Sequence, residues 1–434
     1  MSRDATALPN LADAPWFEAR SVKAVFAALD RDGEETRIVG GAIRNALMNR
    51  PVREGDFATT APPDVVTARA AAAGLKPVPT GFDHGTVTVI AHGEPHEVTT
   101  LRRDVETDGR RAKVAFGRDW TADARRRDFT INALYLDSQG RIHDPLGGYP
   151  DIAARRVRFI GSAATRINED ALRILRFFRF SADYGEGPLD PDGFSACIRA
   201  RTHLARLSRE RIRQELLKLL VARRAVPMIG IMAEAGFVDR VLAGVPYLAP
   251  FRRLAEIEGS GHADALLRLA ALAAAIPEDA ERLAERLRLS NEEHARLRAA
   301  ATAWRGLGLR LSPRQARAAI YRLGPAAFRD ALRLAWARSS DPDAETWPDL
   351  LRLAQEWQPP RLALTGADVL RLGVPKGPAV GEALRHVENW WIGADFPDDP
   401  ARLRAALCRA VAEIRNGRRA RPCKHGIRPP PRSA

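Results

Sequence analysis

Three acidic residues in the first hundred positions have the spacing of a cation-binding site. Glu54 and Asp56 flank Gly55 in the segment EGDFATT, and side chains two positions apart on a strand point to the same side. Glu97 is a lone acid in an apolar, β-branched run, where a charge is costly unless it faces a site. Mg²⁺ between such carboxylates offsets their repulsion, and two such ions can clamp the oxygens of an in-line phosphoryl transfer. Considered alone, an acid-x-acid pair is more often a solvated turn.

A glycine pair precedes these acids. In IVGGAIRNAL, Gly40 and Gly41 separate an apolar strand from a helix start, and Arg44 follows one turn later. Glycines let backbone N–H groups approach a phosphate, and a helix N-terminus favours negative charge. Arg44 could then clamp a triphosphate, although a Gly-Gly pair is more often only a tight turn. In DARRRDFTINALYLD, Arg126 and Arg127 with Asp128 either bind a triphosphate or are surface charge.

The elements that must position these residues change in kind along the chain. Alternating apolar residues predict strands over 36–39, 56–58, 85–90, 96–101, 133–137 and 142–143, and helical spacing predicts helices over 21–31, 42–48 and 63–73. The polar stretch 102–118 predicts a mobile loop. After about residue 162 helices are predicted over 168–183, 208–223, 225–242, 263–275, 278–288, 290–304, 313–322, 325–338 and 400–415.

Composition limits the class of protein and its partners. A chain of 434 residues favours two to four domains. The formal net charge of +14 predicts a polyanionic partner, either nucleic acid or an anionic membrane surface, although a high-GC genome also yields Arg-rich proteins. Three scattered cysteines favour neither disulfides nor zinc. No run of about 18 apolar residues and no signal peptide is found, which predicts a cytoplasmic protein without a membrane span. Residues 416–434, basic and Pro-rich, predict a disordered tail that either binds RNA phosphates or is simply solvated.

Five segments, taken in order, resemble one family. They are GGAIRNALMNRPVREGDFATTAPPDVV, HGTVTVI with HEVTTLRRDVETDGRRAKVAF, DARRRDFTINALYLD, IHDPLGGYPDI and RINEDALRILRFFRF. Together they are similar to the class II nucleotidyltransferases, which include bacterial CCA-adding enzymes and poly(A) polymerases. The segment 207–220 resembles the next helix of that family, and no specific motif follows residue 240.

The resemblance implies a fold and its division. The expected fold is an α/β head, with a small mixed sheet and helices of the polymerase-β-like nucleotidyltransferase kind, followed by an all-helical neck, body and tail. The expected domains are the head (1–160), a neck that recognises the base (161–222), an RNA-binding body and tail (223–415) and the basic tail (416–434).

The resemblance also implies residue roles. Glu54, Asp56 and Glu97 are expected to be catalytic and to bind Mg²⁺. The residues expected to bind the nucleotide are Gly40, Gly41, Arg44, Arg127, Asp128, Asn132, Asp170, Arg173, Arg176 and Arg179. Within that set the EDxxR block, matched by Glu169, Asp170 and Arg173, is expected to read the base.

Base reading by Asp170 and Arg173 has a physical basis. Three positions apart on one helix, they would share a face. An aspartate accepts from an exocyclic amine and an arginine donates to ring acceptors, so one pair could select both cytosine and adenine. The alternative is an ordinary surface ion pair between the two side chains.

The implied function is Mg²⁺-dependent addition of CMP and AMP, from CTP and ATP, to the 3′ end of tRNA. The partners are then the tRNA acceptor arm and the two nucleotides, with no membrane and no stable protein partner evident. Glu54 and Gly55 depart from the family pattern, which usually has Asp and an apolar residue, so an RNA-binding homologue with weakened catalysis is one alternative. Poly(A) polymerase is another, although residues 79–89 lack that enzyme's extra basic block. A transferase acting on a small molecule fits the charge and the long helical part less well.

Overall fold

The computed structural model describes residues 8–81, 85–107, 112–259, 261, 263–308, 311–341 and 344–419. The chain forms two compact units. The first comprises Met1–Ala274 with Glu278–His294, and the second comprises Ala275–Pro277 with Ala295–Ala434. Every residue proposed above for chemistry lies in the first unit.

A seven-stranded mixed sheet forms the centre of the head. Its strands are β1 (Thr36–Val39), β2 (Asp56–Thr59), β3 (Lys76–Gly81), β4 (Thr86–Ala91), β5 (Glu94–Thr100), β8 (Tyr135–Leu136) and β9 (Ile142–His143), in the spatial order β3-β4-β5-β2-β1-β8-β9. Only β2 and β5 run parallel; the other pairs are antiparallel. The predicted strands are confirmed, including the β4–β5 hairpin and the β8–β9 pair. β3 was not predicted, because its two prolines argue against a strand, and it lies at the sheet edge where proline is tolerated.

Five α-helices accompany the sheet in the described residues of the head. They are α1 (Arg20–Leu29), α2 (Gly41–Leu47), α3 (Pro63–Ala72), α4 (Trp120–Arg125) and α5 (Tyr149–Ala153). α1 buries Val25, Phe26 and Leu29, which recur at helical spacing. The Phe26 ring meets Phe57 of β2 edge-on, with centroids 5.1 Å apart. The central strand β2 is therefore fixed from one face by an aromatic core.

The mobile loop predicted over residues 102–118 is wrong for most of its length. β6 (Arg102–Thr107) pairs antiparallel with β7 (Ala112–Phe116) as a separate two-stranded sheet. Charged composition does not prevent pairing in a hairpin, since the strands satisfy one another's backbone groups. The dipeptide Asp108-Gly109 is a favourable hairpin-turn sequence and was the overlooked signal; it lies outside the described residues.

The remainder of the described chain is helical, as predicted. Its helices are α6 (Ala163–Glu169), α7 (Leu172–Tyr184), α8 (Pro191–Arg199), α9 (Arg209–Leu220), α10 (Ala225–Glu234), α11 (Val238–Leu242), α12 (Leu248–Glu258), α13 (Ala265–Ala273), α14 (Pro277–Leu287), α15 (Asn291–Ala303), α16 (Pro313–Leu323), α17 (Pro325–Ala337), α18 (Thr346–Glu356), α19 (Gly366–Arg371), α20 (Pro378–Gly393) and α21 (Pro400–Arg419). Two predicted helices are each divided in two. The segment 225–242 breaks at Gly236, which has a positive φ of 71°, and the segment 168–183 breaks at Asp170.

In the second unit, helices pack around two apolar clusters. One is centred on Phe328 and Trp347, both buried, and the other joins Val387 of α20 to Leu407 and Val411 of α21. α21 continues to Arg419, beyond residue 416 where a disordered tail was predicted to begin; residues 420–434 lie outside the described part of the chain. Among the described residues, no helix has both the length and the apolar character needed to cross a bilayer.

Candidate active site

The parallel pairing of β2 with β5 places two of the three acids side by side. Phe57 is in register with Val98, so the preceding residues, Asp56 and Glu97, are neighbours on adjacent strands. Their flanking residues Phe57 and Val98 are buried, whereas both acids are exposed on the opposite face of the sheet. Adjacent strands lie about 4.8 Å apart, which brings the two carboxylates close together.

The negative charges of the neighbouring acids disfavour the ionisation of Asp56. The pKa of Asp56 is raised, first by its partial burial and then by the negative charges of Glu97 and Glu54; only Arg127 acts in the opposite direction. Within the described residues, none of the three acids forms a salt bridge. Uncompensated carboxylates that repel one another are the donor set expected of a divalent-cation site. As they stand, however, no three such side chains among the described residues are close enough to hold one ion.

Glu54 does not lie on a strand, so the predicted i, i+2 arrangement on β2 is wrong. The β1–β2 ladder begins with Asp56, which faces Val39, and residues 51–55 are unpaired. Glu54 and Asp56 nevertheless line the same open cleft, of about 980 Å³.

That cleft has one wall from the head and one from the helical part. The head contributes Gly41, Asn45, Arg53 and the two acids, among others, and the facing wall includes Asp183, Tyr184 and Arg223. Asp170 and Arg173 do not appear among its described lining residues. The structure therefore brings Glu54, Asp56 and Gly41 to this cleft but not the pair predicted to read the base.

Gly40 forms a tight turn between β1 and α2. Its φ of 71° is a conformation that favours glycine, and its N–H donates to the Leu134 carbonyl at 3.1 Å. A Cβ here would lie 3.3 Å from the Asn132 carbonyl oxygen and 3.9 Å from Nη1 of Arg127. The turn thus needs glycine both for its backbone conformation and for its close approach to the neighbouring segment.

Arg44 is buried, in contact with residues of both the head and the neck. Its guanidinium donates to Oδ1 of Asn132 and, at 2.8 Å, to the Tyr184 hydroxyl, and it lies 3.8 Å from the centre of the Tyr184 ring. Burial lowers the pKa of Arg44 despite the opposing influence of Tyr184 and Asp128. In this conformation the side chain joins head to neck, and its predicted contact with a triphosphate stays a prediction.

A chain of hydrogen bonds and ion pairs continues from Arg44. We call it the charge network; its members are Arg44, Asn132, Asp128, Arg176, Glu215 and Arg179. Asn132 donates to Asp128 at 3.0 Å, and Nε of Arg176 donates to the other Asp128 oxygen at 2.7 Å. Glu215 accepts from Arg179 at 2.5 Å and lies 3.6 Å from Arg176.

The charge network is mostly removed from solvent. The side chains of Asp128 and Glu215 are only 9% and 7% exposed. Burial would raise the pKa of Asp128, but Arg176, Asn132 and the Phe129 N–H outweigh it and lower that pKa. Five residues predicted to bind nucleotide therefore act here as mutual partners that fix the head against α7 and α9.

Arg127 lies beside both the glycine turn and the acids. It contacts Asp123 at 3.0 Å, and that carboxylate also accepts from the Tyr135 hydroxyl at 2.8 Å. Burial alone would lower the pKa of Arg127, but Asp123 and Tyr135 raise it. Its charge also lowers the pKa of Asp56, and its predicted contact with phosphate stays a prediction.

Asp170 and Arg173 do not share one helix, contrary to the prediction. Asp170 ends α6 in an extended conformation, and its carboxylate accepts from the N–H of Leu172 and pairs with Arg211 at 2.6 Å. Arg173 pairs instead with Glu169 at 2.6 Å. An aspartate readily caps the next helix with its side chain, and that local bond competes with a continuous helix.

Several partners in this region were not predicted. Asp123 and Arg127 are four apart, a spacing that indicates their ion pair. Arg211 and Glu215 lie in the segment 207–220, whose resemblance gave no role to either. Tyr184 has no sequence signal, because its contact with Arg44 spans 140 positions.

Comparison with known proteins identifies the family to which this chain belongs. The family model described as "Poly A polymerase head domain" matches residues 36–158, and that described as "Probable RNA and SrmB- binding site of polymerase A" matches residues 188–251. CCA tRNA nucleotidyltransferase 1, mitochondrial, of Danio rerio is 34% identical over 381 residues, covering 82% of this chain and 83% of that protein. The chain belongs to the CCA-adding enzyme and poly(A) polymerase family. Its members are nucleotidyltransferases, as the sequence predicted.

Solved structures of this nucleotidyltransferase family have the same fold. The CCA-adding enzyme of Bacillus stearothermophilus, crystallised with CTP, is 27% identical, with a TM-score of 0.74 over 93% of this chain and 99% of that one. The Thermotoga maritima CCA-adding enzyme complexed with tRNA is 20% identical, with a TM-score of 0.66 over 90% and 94% of the two chains. These similarities confirm the predicted nucleotidyltransferase head followed by a helical remainder.

Proposed function

We propose that the chain adds CMP and AMP, from CTP and ATP, to the 3′ end of tRNA. The observation that carries the proposal is the in-register pair Asp56 and Glu97, uncompensated by salt bridges and adjacent to Arg127. A relative named CCA tRNA nucleotidyltransferase aligns over 83% of its own length. The two similar solved structures described above contain CTP and tRNA respectively. The RNA is then expected on the helical residues 223–415, and the predicted cytoplasmic location stays a prediction.

We propose that Glu54, Asp56 and Glu97 hold Mg²⁺. The three side chains do not converge on one ion as they stand, but Mg²⁺ is usually bound by one or two carboxylates and completes its shell with substrate phosphates and water. Bound there, it would supply charge stabilisation to the attacking and leaving oxygens of phosphoryl transfer. Burial and the negative charges of Glu97 and Glu54 raise the pKa of Asp56 in the absence of a cation, and a bound Mg²⁺ would offset that repulsion. Arg127, anchored by Asp123, would hold the phosphates, and the charge network would keep Asn132 fixed relative to the neck.

Incorporation on defined primers tests the proposal. Purified protein would be incubated with Mg²⁺ and tRNA transcripts ending before CCA, after C or after CC, with CTP, ATP or both. We expect addition of C, C and A, followed by a stop. Addition of A alone after CC would restrict the activity to the last step, and long A tracts on generic RNA would favour poly(A) polymerase. RNA binding without growth on any primer would indicate a homologue whose catalysis has been lost.

Substitution of Asp170 tests its proposed role in base selection. If its carboxylate accepts from the amine of cytosine and adenine, Asp170→Ala should lower kcat/KM for CTP and ATP by about 10- to 100-fold, the range for a lost hydrogen bond to a charged group, with little change for UTP. The measurement is kcat/KM for the four nucleotides on a primer ending in CC or C.

The matched control is Arg211→Gln, which removes the protein partner of Asp170 but leaves its carboxylate. That variant should retain selectivity. Equal losses for all four nucleotides in Asp170→Ala would show that Asp170 only positions Arg211 and the start of α7.

A further inference from the structure

His96 lies directly beneath the proposed catalytic acids. It precedes Glu97 on β5, but its side chain points to the opposite, buried face of the sheet and is only 5% exposed. Its ring meets Phe57 edge-on, with centroids 5.6 Å apart. Nδ1 of His96 is 3.3 Å from the carbonyl oxygen of Gly55.

This contact assigns the hydrogen on the ring. A carbonyl can only accept, so Nδ1 of His96 must be the donor. Nε2 is buried and has no hydrogen-bond partner among the described residues. An unsatisfied buried nitrogen is costly and calls for an explanation. The ring therefore donates to the Gly55 carbonyl through Nδ1, and Nε2 is left without a hydrogen bond from the described residues.

Gly55, in the segment that carries the acids, lies outside the backbone ladder between β2 and β5. The backbone ladder between β2 and β5 begins at Phe57 and Val98, so it does not reach the peptide that joins Gly55 to Asp56. Gly55 is buried, but a Cβ built on it would have nothing within 4 Å, so a side chain at this position would find no neighbour to anchor it. A glycine without such anchoring samples more backbone conformations than any other residue.

We infer that His96 is a positioning residue for the acid cluster of Glu54, Asp56 and Glu97. Its Nδ1–H extends the attachment of β2 to β5 one peptide beyond the ladder and fixes the plane that leads into Asp56. Because the same strand carries Glu97 on its other face, the bond also fixes the spacing of Asp56 from Glu97. The inference rests on the proposed function only for its consequence in catalysis, since the hydrogen bond is a property of the chain itself.

This arrangement accounts for the unusual pair Glu54-Gly55. Where the family usually has an apolar residue between its acids, here the middle position has no side chain and a histidine from the neighbouring strand supplies the restraint. The hydrogen bond from His96 then restrains the backbone that carries the longer Glu54 side chain, in place of the packing of an apolar side chain at position 55.

Three variants separate hydrogen bonding from packing. Asn places its amide nitrogen where His has Nδ1, Gln places it where His has Nε2, and Phe keeps the ring without a donor. We expect His96→Phe and His96→Gln to lower kcat at least tenfold with the KM for CTP changed less than twofold, and His96→Asn to recover most of kcat. The second readout is Mn²⁺ binding, followed by the loss of the electron paramagnetic resonance signal of free Mn²⁺ in the presence of CTP without primer. The affinity for Mn²⁺ should fall several-fold in His96→Phe and should recover in His96→Asn.

The outcomes distinguish this inference from the proposed function. ¹⁵N-resolved NMR of the histidine ring should show a protonated Nδ1 in the wild-type protein, whether or not it incorporates nucleotides. A protonated Nε2 with a bare Nδ1, or equal kcat and Mn²⁺ binding in the Asn and Gln variants, would overturn the positioning role. If the wild-type protein fails on every primer while the ring and Mn²⁺ results are as expected, the proposed function fails and the positioning of the cluster stands. Should His96→Phe not fold, the Asn and Gln pair decides.

Discussion

Asp56→Asn is expected to lower nucleotide incorporation by roughly 10³-fold or more, with tRNA binding changed less than twofold. The substitution keeps the size of the side chain and removes the negative charge that lies beside Glu97 on the parallel strand. Loss of one preorganised charge-stabilising group commonly costs about 10²–10³ in rate, and loss of a metal ligand adds to that. The measurement is single-turnover incorporation on a CC-ending transcript, with tRNA affinity measured separately.

Asp64→Asn is the matched control, because Asp64 is an exposed acid in the first turn of α3, in the same head. It should incorporate nucleotide at the wild-type rate. If Asp56→Asn kept more than a tenth of wild-type activity, the assignment of the acids to the reaction would be wrong.

Asp56→Asn should also make the protein more stable in the absence of divalent cations. The pKa of Asp56 is raised in the folded state, so the folded protein resists its ionisation and stability is lost as the pH rises through that pKa. At pH 7 Asp56→Asn removes this cost, and its melting temperature should exceed that of the wild type by about 1–3 °C. A stability gain paired with a loss of activity is the signature of a functional charge cluster, whereas a structural acid would show both losses together.

Asp128→Asn should destabilise the protein, with an unfolding free energy at pH 7 lower by about 2–3 kcal/mol, since Arg176 loses the nearer of its two counter-charges and keeps only Glu215 at 3.6 Å. Asp128 is the acid that accepts from Arg176 and Asn132 together. In the first unit this corresponds to a fall of about 5–10 °C in melting temperature. Incorporation should also fall, because Asn132 and Arg44 lose their fixed partner. The measurement is denaturant unfolding followed by circular dichroism.

The pH dependence of that difference has a definite sign. The pKa of Asp128 is lower in the folded state than its unfolded value of about 3.9. Its contribution is therefore complete well above pH 4 and is lost as the pH falls through the folded pKa. The wild type and Asp128→Asn should converge in stability below pH 4 and differ fully at pH 7. Asp192→Asn, an exposed acid in the first turn of α8, should match the wild type throughout; a constant difference for Asp128→Asn at all pH values would exclude the ionic account.

The sequence predicted the head sheet well because its strands carry short-range signals. The run GTVTVI and the Gly40-Gly41 turn have local patterns that specify β4 and the entry to α2. The same local rules missed the β6–β7 hairpin, since alternation there is masked by charge. They also carried one helix through Asp170, where a side-chain cap competes with the helical bonds.

The positions of the site residues could be predicted only in part. The lone acid Glu97 is visible in the sequence, but its register with Asp56 depends on a parallel strand pair that no local pattern reveals. The partners of the predicted arginines are equally hidden, because the bond of Arg179 with Glu215 joins two helices and the bond of Arg44 with Tyr184 joins head and neck. Composition supplies the charges, and tertiary packing decides which of them meet.

The charge network has a consequence for the modularity of the chain. A boundary near residue 160 separates the head from the neck by sequence resemblance, but Asp128 and Asn132 on one side depend on Arg176, and through it on Glu215, on the other. A head excised at that boundary would retain its sheet and its acids while exposing a carboxylate and a guanidinium whose counterparts had been removed. An autonomous catalytic fragment of this chain would therefore have to extend at least through α9, and recombination with a relative would have to exchange head and neck together.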